Sequence, residues 1–267
     1  MEGTTSSSSV AQGSAASAPQ PPQNQATSTG SSSAAGEGQT NQTSASQAVG
    51  SGQSFAERAI ELFMRHWTLV FPVVGLLVLE LIIYLVGGLF SLGLGLGLAF
   101  GFHPFALLVT DIIFSIVTGF VVGILTAFVV AIVLEESKSA VSGKTFTIGG
   151  AWKEVKARMG VASAVAVGLG IVFALFSFAP FASWLLDGLS IGYVTIMFAL
   201  ICGGGKGAGD SLRGAAVVYS KMADKDGLTL LAYLISSVLS AIPILNLATI
   251  PYNAILINLY QTEASAV

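Results

Sequence analysis

All 11 lysines and arginines of this 267-residue chain fall on one side of a series of long apolar runs. They stand just before the first run (Arg58, Arg65) or in two connectors, one with Lys138, Lys144, Lys153, Lys156 and Arg158, the other with Lys206, Arg213, Lys221 and Lys225. The intervening turns, around residues 102–105, 179–186 and 243–247, have none. Basic residues are retained on the cytoplasmic side of a membrane, so this pattern predicts an integral protein of the cell membrane with several passes and both termini inside. The chain is 53% hydrophobic and 9% charged, against about 25% charged in a soluble domain. A single cysteine, Cys202, excludes an intrachain disulfide and any multi-cysteine metal site.

Residues 1–53 form a separate region rich in Ser, Gly, Ala, Gln and Thr, with Glu2 and Glu37 as its charges. Such a segment buries too little apolar surface to offset its ordering entropy, and it is expected to be disordered. It lacks a basic stretch followed by an apolar one, so it does not read as a signal peptide. Asn41-Gln42-Thr43 fits a glycosylation sequon, which would need an external tail; the sidedness of Lys and Arg places the tail in the cytoplasm.

A spanning helix takes about 20 mostly apolar residues. Runs of that kind lie near 67–90, 105–134, 160–178, 181–202, 228–242 and 244–260. The predicted fold is therefore all-α, with six transmembrane helices. The chain also repeats itself. Its external turns centre on Pro104, Pro180 and Pro243, and an amphipathic stretch precedes each hairpin, at 54–66, 147–159 and 211–222. This predicts three units of interfacial helix plus transmembrane hairpin. Ser54 and Glu57 have capping-box spacing at the first, and Asp210 or Ser211 is expected to cap the third. Ser91 to Gly97 alternates Leu and Gly, a poor helix former that reads as a loose external segment.

The Ser142-Gly143-Lys144 lead-in to an amphipathic helix, the Pro-centred turns and the third unit at 211–253 together resemble a membrane domain found ahead of glycerophosphodiester phosphodiesterases in some bacteria. The resemblance spans about 54–263. It implies the same six-span fold. No phosphodiesterase domain is expected after Val267.

Lipid supplies no hydrophobic drive between helices, so close contacts need small residues. Gly119, Gly123, Ala127 and Ala131 recur down the second span, and Gly160, Ala164 and Gly168 down the third, beside Ala162, Ala166, Gly170 and Ala174. The fourth has Gly188 and Gly192. These predict seams within one bundle; the same motif also serves homo-oligomer or partner faces.

Glu80 lies near the middle of the first span, where a carboxylate facing lipid costs several kcal/mol. It is expected to be protonated, paired or turned to an internal cavity, as a proton or cation site or as a neutral hydrogen-bonding group. Asp111 either approaches Glu80 from the second span or caps the start of its helix. Asn246, Thr249, Asn253 and Tyr260 share one face of the last span, with Asn258 nearby and Pro251 expected to kink it. That stripe suits either a substrate path or interhelical hydrogen bonds, and Glu80 and Asn253 are expected to face one cavity. Arg58, Arg65, Lys153, Lys156, Arg158, Arg213 and Lys221 are expected at lipid headgroups.

Gly143-Lys144-Thr145 lacks the first glycine and preceding strand of a phosphate-binding loop, and Gly203 to Gly207 reads as a flexible connector. His66 and His103 fall on opposite membrane faces. No metal site, cofactor, catalytic constellation or nucleic-acid footprint emerges. The chain is expected to be a non-catalytic protein that organises membrane lipids or serves as an accessory subunit. The alternative is a small-solute or proton/cation-coupled transporter built on Glu80 and the last span.

Overall fold

The chain divides into two units, 1–47 and 48–267. The computed structural model describes residues 54–99, 101, 104–145, 147–177 and 182–264. The expected disorder of the tail, its sequon and His103 lie outside these residues. Among the described residues the fold is all-helical: α1 (Phe55–Arg65), a 3-10 turn (Trp67–Val70), α2 (Phe71–Ala99), α3 (Pro104–Val141), α4 (Ile148–Ala157), α5 (Met159–Phe176), α6 (Ser183–Gly204), α7 (Ala208–Lys225), α8 (Gly227–Leu239) and α9 (Asn246–Ala264). Four helices, α2, α3, α5 and α6, are long and apolar enough to cross a membrane, which makes this a membrane protein.

Local chemistry explains most boundaries. The Ser54 hydroxyl accepts from the Glu57 amide while the Glu57 carboxylate accepts from the Ser54 amide, so α1 opens on a complete capping box. Thr147 caps α4 through the Gly150 amide at 3.1 Å. Asp226 caps α8 through the Thr229 amide at 3.0 Å. Gly205 ends α6 in the left-handed region at φ 61°, a conformation only glycine adopts without strain.

Two expectations fail. The cap of α7 is Gly207, with no side-chain cap, and Asp210 sits inside the first turn; α7 thus starts before the apolar stripe that marked it in the sequence. The Leu-Gly segment is not loose: Ser91 to Gly97 continues α2 as helix. Each glycine costs about 1 kcal/mol in a helix, but an unpaired backbone group in hydrocarbon costs several.

The centre of the bundle is α9. Every residue from Asn253 to Tyr260 is buried, and the helix packs against α1, α3, α6 and α8. The principal seam joins α3 to α5: a methyl added at Gly123 would lie 2.7 Å from the Gly170 Cα, and one at Gly119 3.1 Å from the Phe173 carbonyl oxygen. A second seam joins α6 to α8, where a methyl at Gly188 would lie 2.7 Å from the Val238 Cα. The expected stripe on the third span is only half right. Ala162, Ala166, Gly170 and Ala174 are buried, but Gly160, Ala164 and Gly168 face outward. The inward face is fixed by where Gly170 meets α3.

The amphipathic helices dock on this bundle. Ala59 of α1 is buried against α9, Ala151 and Val155 of α4 are buried, and Ser211, Ala215 and Met222 of α7 are buried beneath α6 and α8. Each keeps large apolar side chains outside, including Met64 and Trp67 near α1, Trp152 on α4 and Leu212 on α7. One tyrosine cluster ties α7 to the bundle. Tyr193 stacks on Tyr219 at 5.9 Å and Tyr219 meets Tyr233 edge-on, while the Tyr233 hydroxyl donates to the Gly192 carbonyl at 2.6 Å. Burial, with Tyr193 beside it, pushes the Tyr219 pKa above its usual value.

Candidate functional site

At the end of the bundle away from the Lys and Arg residues, a cavity of about 390 Å³ opens between α2, α3 and α6 and is closed by the ends of α5 and α8. Its mouth is marked by Ser177 after α5, Ser183 at the start of α6 and Pro243 in the turn before α9. From there it descends along α3 past Asp111, Ser115, Thr118 and Val122 to Thr126, and along α2 from Ser91 to Glu80. Three carboxylates on three helices line it: Glu80, Asp111 and Asp187. Among the described residues, no Lys, Arg or His lines it.

Helix geometry places these groups. In α2, residues 80, 84, 87 and 91 recur every three or four positions and so share one face that lines the cavity, while Val73 and Leu76 are buried nearer its start. Glu80 is 5% exposed. Gly87 leaves room for the Phe114 ring, 3.0 Å from where a methyl would stand, and Phe90 stacks on the same ring at 4.6 Å. Tyr84 lies within electrostatic range of both Glu80 and Asp187. Two polar atoms lining the cavity are buried without a hydrogen-bond partner among the described residues, Thr126 Oγ1 and Asp187 Oδ1. Asp111 is not a helix cap. It is exposed, seven residues into α3 from Pro104, and faces the cavity mouth.

The last-span residues lie elsewhere. Asn253 is wholly buried and absent from the cavity lining; Glu80 and Asn253 therefore do not share the cavity. The Ser236 hydroxyl of α8 donates to Asn253 Oδ1, and Asn253 Nδ2 reaches Ser237 Oγ at 3.4 Å. Thr249 Oγ1 is 3.0 Å from Ser240 Oγ. Asn258 Nδ2 donates to the Leu134 carbonyl at 3.0 Å and to Ser137 Oγ at 2.7 Å. These residues bind helix to helix. Pro251 stands inside α9 and cannot donate to the Leu247 carbonyl. Asn246 Oδ1 and the Tyr260 hydroxyl are buried without a partner among the described residues, and the Tyr260 ring meets Phe55 of α1 at 5.8 Å.

The basic residues divide into two groups. Arg58 pairs with Glu263 at the end of α9. Arg158 donates to the Ile201 carbonyl at 2.7 Å and Lys138 to the Cys202 carbonyl at 3.1 Å. These last two cations sit at the C-terminal end of α6, where they complement the helix dipole. Arg65 pairs with Glu61 at 2.6 Å on the surface, and Lys153, Lys156, Arg213 and Lys221 are exposed.

The sequence reading passed over two carboxylates. Asp187 follows Pro180 by seven residues, the offset of Asp111 from Pro104, and that shared offset was a signal in the sequence. Glu136, wholly buried with both oxygens unpartnered among the described residues, lines a pocket of about 250 Å³ with Glu135, Thr147 and Glu154 at the basic end. Only its neighbours, not its sequence context, reveal its burial. Among the described residues no three acidic, His or Cys side chains come close enough to share a metal ion. No protein-family model matches the chain, and no curated protein or solved structure matches it.

Proposed function

We propose that this is a six-span protein of the cell membrane, with both termini cytoplasmic, that admits a positively charged species through an outward-facing cavity. It acts as a small-solute or proton/cation-coupled transporter. The carrying observation is that Glu80, Asp111 and Asp187 converge on one cavity with no cationic side chain among its described lining residues. Carboxylates placed within a membrane need protons or cations to offset their desolvation. The opposite end carries every Lys and Arg of the chain, which supports a cytoplasmic side for it through positive-inside retention and an outward-opening cavity.

In this reading α8 and α9 complete the crossings as a third hairpin, and the order α1 to α9 is three units of one docking helix and two membrane helices. The short α8 and polar α9 cross within a protein surround in which Asn253, Asn258 and Thr249 find hydrogen-bond partners. The resemblance to the phosphodiesterase-associated membrane domain remains part of the proposal for the fold and contributes nothing to the chemistry.

A second reading, a lipid-organising or accessory subunit, draws on the outer faces of α1 and α4. There Met64, Trp67 and Trp152 stand exposed beside Arg65, Lys153 and Lys156, as headgroup-level helices require. It does not use the cavity.

Reconstitution of the full chain in vesicles tests the first reading. An imposed proton or cation gradient is expected to drive flux through the native protein and none through Glu80→Gln, with thermal unfolding in detergent unchanged. Equal flux in both proteins, or none in either, would remove the transport reading and leave the second.

A further inference from the structure

Resting on the transport reading, the cavity also defines what it admits. A bound water occupies about 30 Å³, and the cavity has about 390 Å³. A single inorganic ion would leave most of it empty. Nor do its acids gather on one point, since no three acidic, His or Cys side chains among the described residues converge on a shared ion. Instead they come from three different helices, Glu80 from α2, Asp111 from α3 and Asp187 from α6, with Thr126 further along α3 than Asp111. Between them the wall is part aromatic and part aliphatic: Tyr84, Phe114, Ile83 and Val122.

We infer that the ligand is a small organic dication, a primary diamine or related polyamine, lying lengthwise between Glu80 and Asp187. One ammonium meets Glu80 and Thr126, the other meets Asp187, and the methylenes between them pass along Ile83 and Val122. Two unpartnered acceptors wait at these positions. Thr126 Oγ1 belongs to a residue only 1% exposed, and Asp187 Oδ1 is buried. Ammonium groups carry three donors each, enough to reach a carboxylate and a hydroxyl together. The faces of Tyr84 and Phe114 add cation–π attraction, and Phe114 is held in place by Phe90. Among the described lining residues no Lys, Arg or His competes for the carboxylates.

Binding of 1,4-diaminobutane to the full chain in lipid nanodiscs, measured calorimetrically beside butylamine and sodium chloride, tests this. The diamine is expected to bind saturably and at least about tenfold more tightly than butylamine, a difference of about 1.4 kcal/mol. Asp187→Asn is expected to bring the diamine to the affinity of the monoamine, and Glu80→Gln, which removes the carboxylate that meets the other ammonium, serves as the second variant if the first fails to fold. Equal affinity for the two amines overturns the inference. Failure of both amines to bind while gradient-driven flux persists overturns it as well, but leaves the transport reading standing. Absence of both binding and flux removes the two together.

Discussion

The helices α2 and α9 invert the rule that governs soluble proteins. In α2 almost every residue is apolar, yet only 22% of its spanning window is buried. In α9 every residue from Asn253 to Tyr260 is buried although the segment carries two asparagines and follows a proline. Lipid is as apolar as leucine, so exposing Leu81 or Leu85 costs nothing. Polar groups are the ones that need protein around them, because hydrocarbon offers no partner. Hydropathy therefore identifies which helices meet lipid, while polarity identifies the centre. The single buried acid of α2 follows the same logic: Glu80 stands on the narrow face turned inward.

This contrast can be broken at both helices. The largest effect is expected at Leu256, wholly buried in α9: Leu256→Ala should cost about 2–5 kcal/mol by the cavity it leaves, read from reversible unfolding in mixed micelles. A loss below about 0.5 kcal/mol, the usual range of surface changes, would mean that α9 is not the centre. A smaller effect, about 1 kcal/mol, is expected from Asn253→Leu, which removes the interhelical acceptor of the Ser236 hydroxyl and leaves it the Tyr233 carbonyl at 3.0 Å. Pairing it with Ser236→Ala in a double-mutant cycle should give a coupling of about 0.6 kcal/mol; strict additivity would separate the two residues. The smallest effect is expected at Leu85, 63% exposed on α2: Leu85→Ala should stay within about 0.5 kcal/mol. A loss as large as that of Leu256→Ala would show that another protein or a second copy covers α2.

Much of the site was legible, though unevenly. Glu80 stood out because a carboxylate amid apolar residues needs an explanation wherever the helix turns. Asp111 stood between a cap and an approach to Glu80 because it lies near a turn, and only the length of α3 beyond it, back to Pro104, removes the cap. Asp187 was hidden for the same reason, near Pro180, although the shared seven-residue offset linked it to Asp111. The polar stripe of α9 could not be assigned from its spacing. A path and a set of interhelical bonds use the same residue types, and the choice depends on what α8 and α3 present to it.

By itself the sequence determined that the chain lies in a membrane, which segments are helical and apolar, and on which side the basic residues remain. Those follow from local hydropathy, capping and charge, each carried within a few turns of chain. Only the tertiary structure decided that α9 is central, that Gly123 meets Gly170, and that acids from α2, α3 and α6 share one cavity. Those depend on which faces of separate helices meet, and in lipid no hydrophobic gradient selects the faces. Close backbone approach at glycines and pairing of polar groups select them, and both require the partner helix to be present.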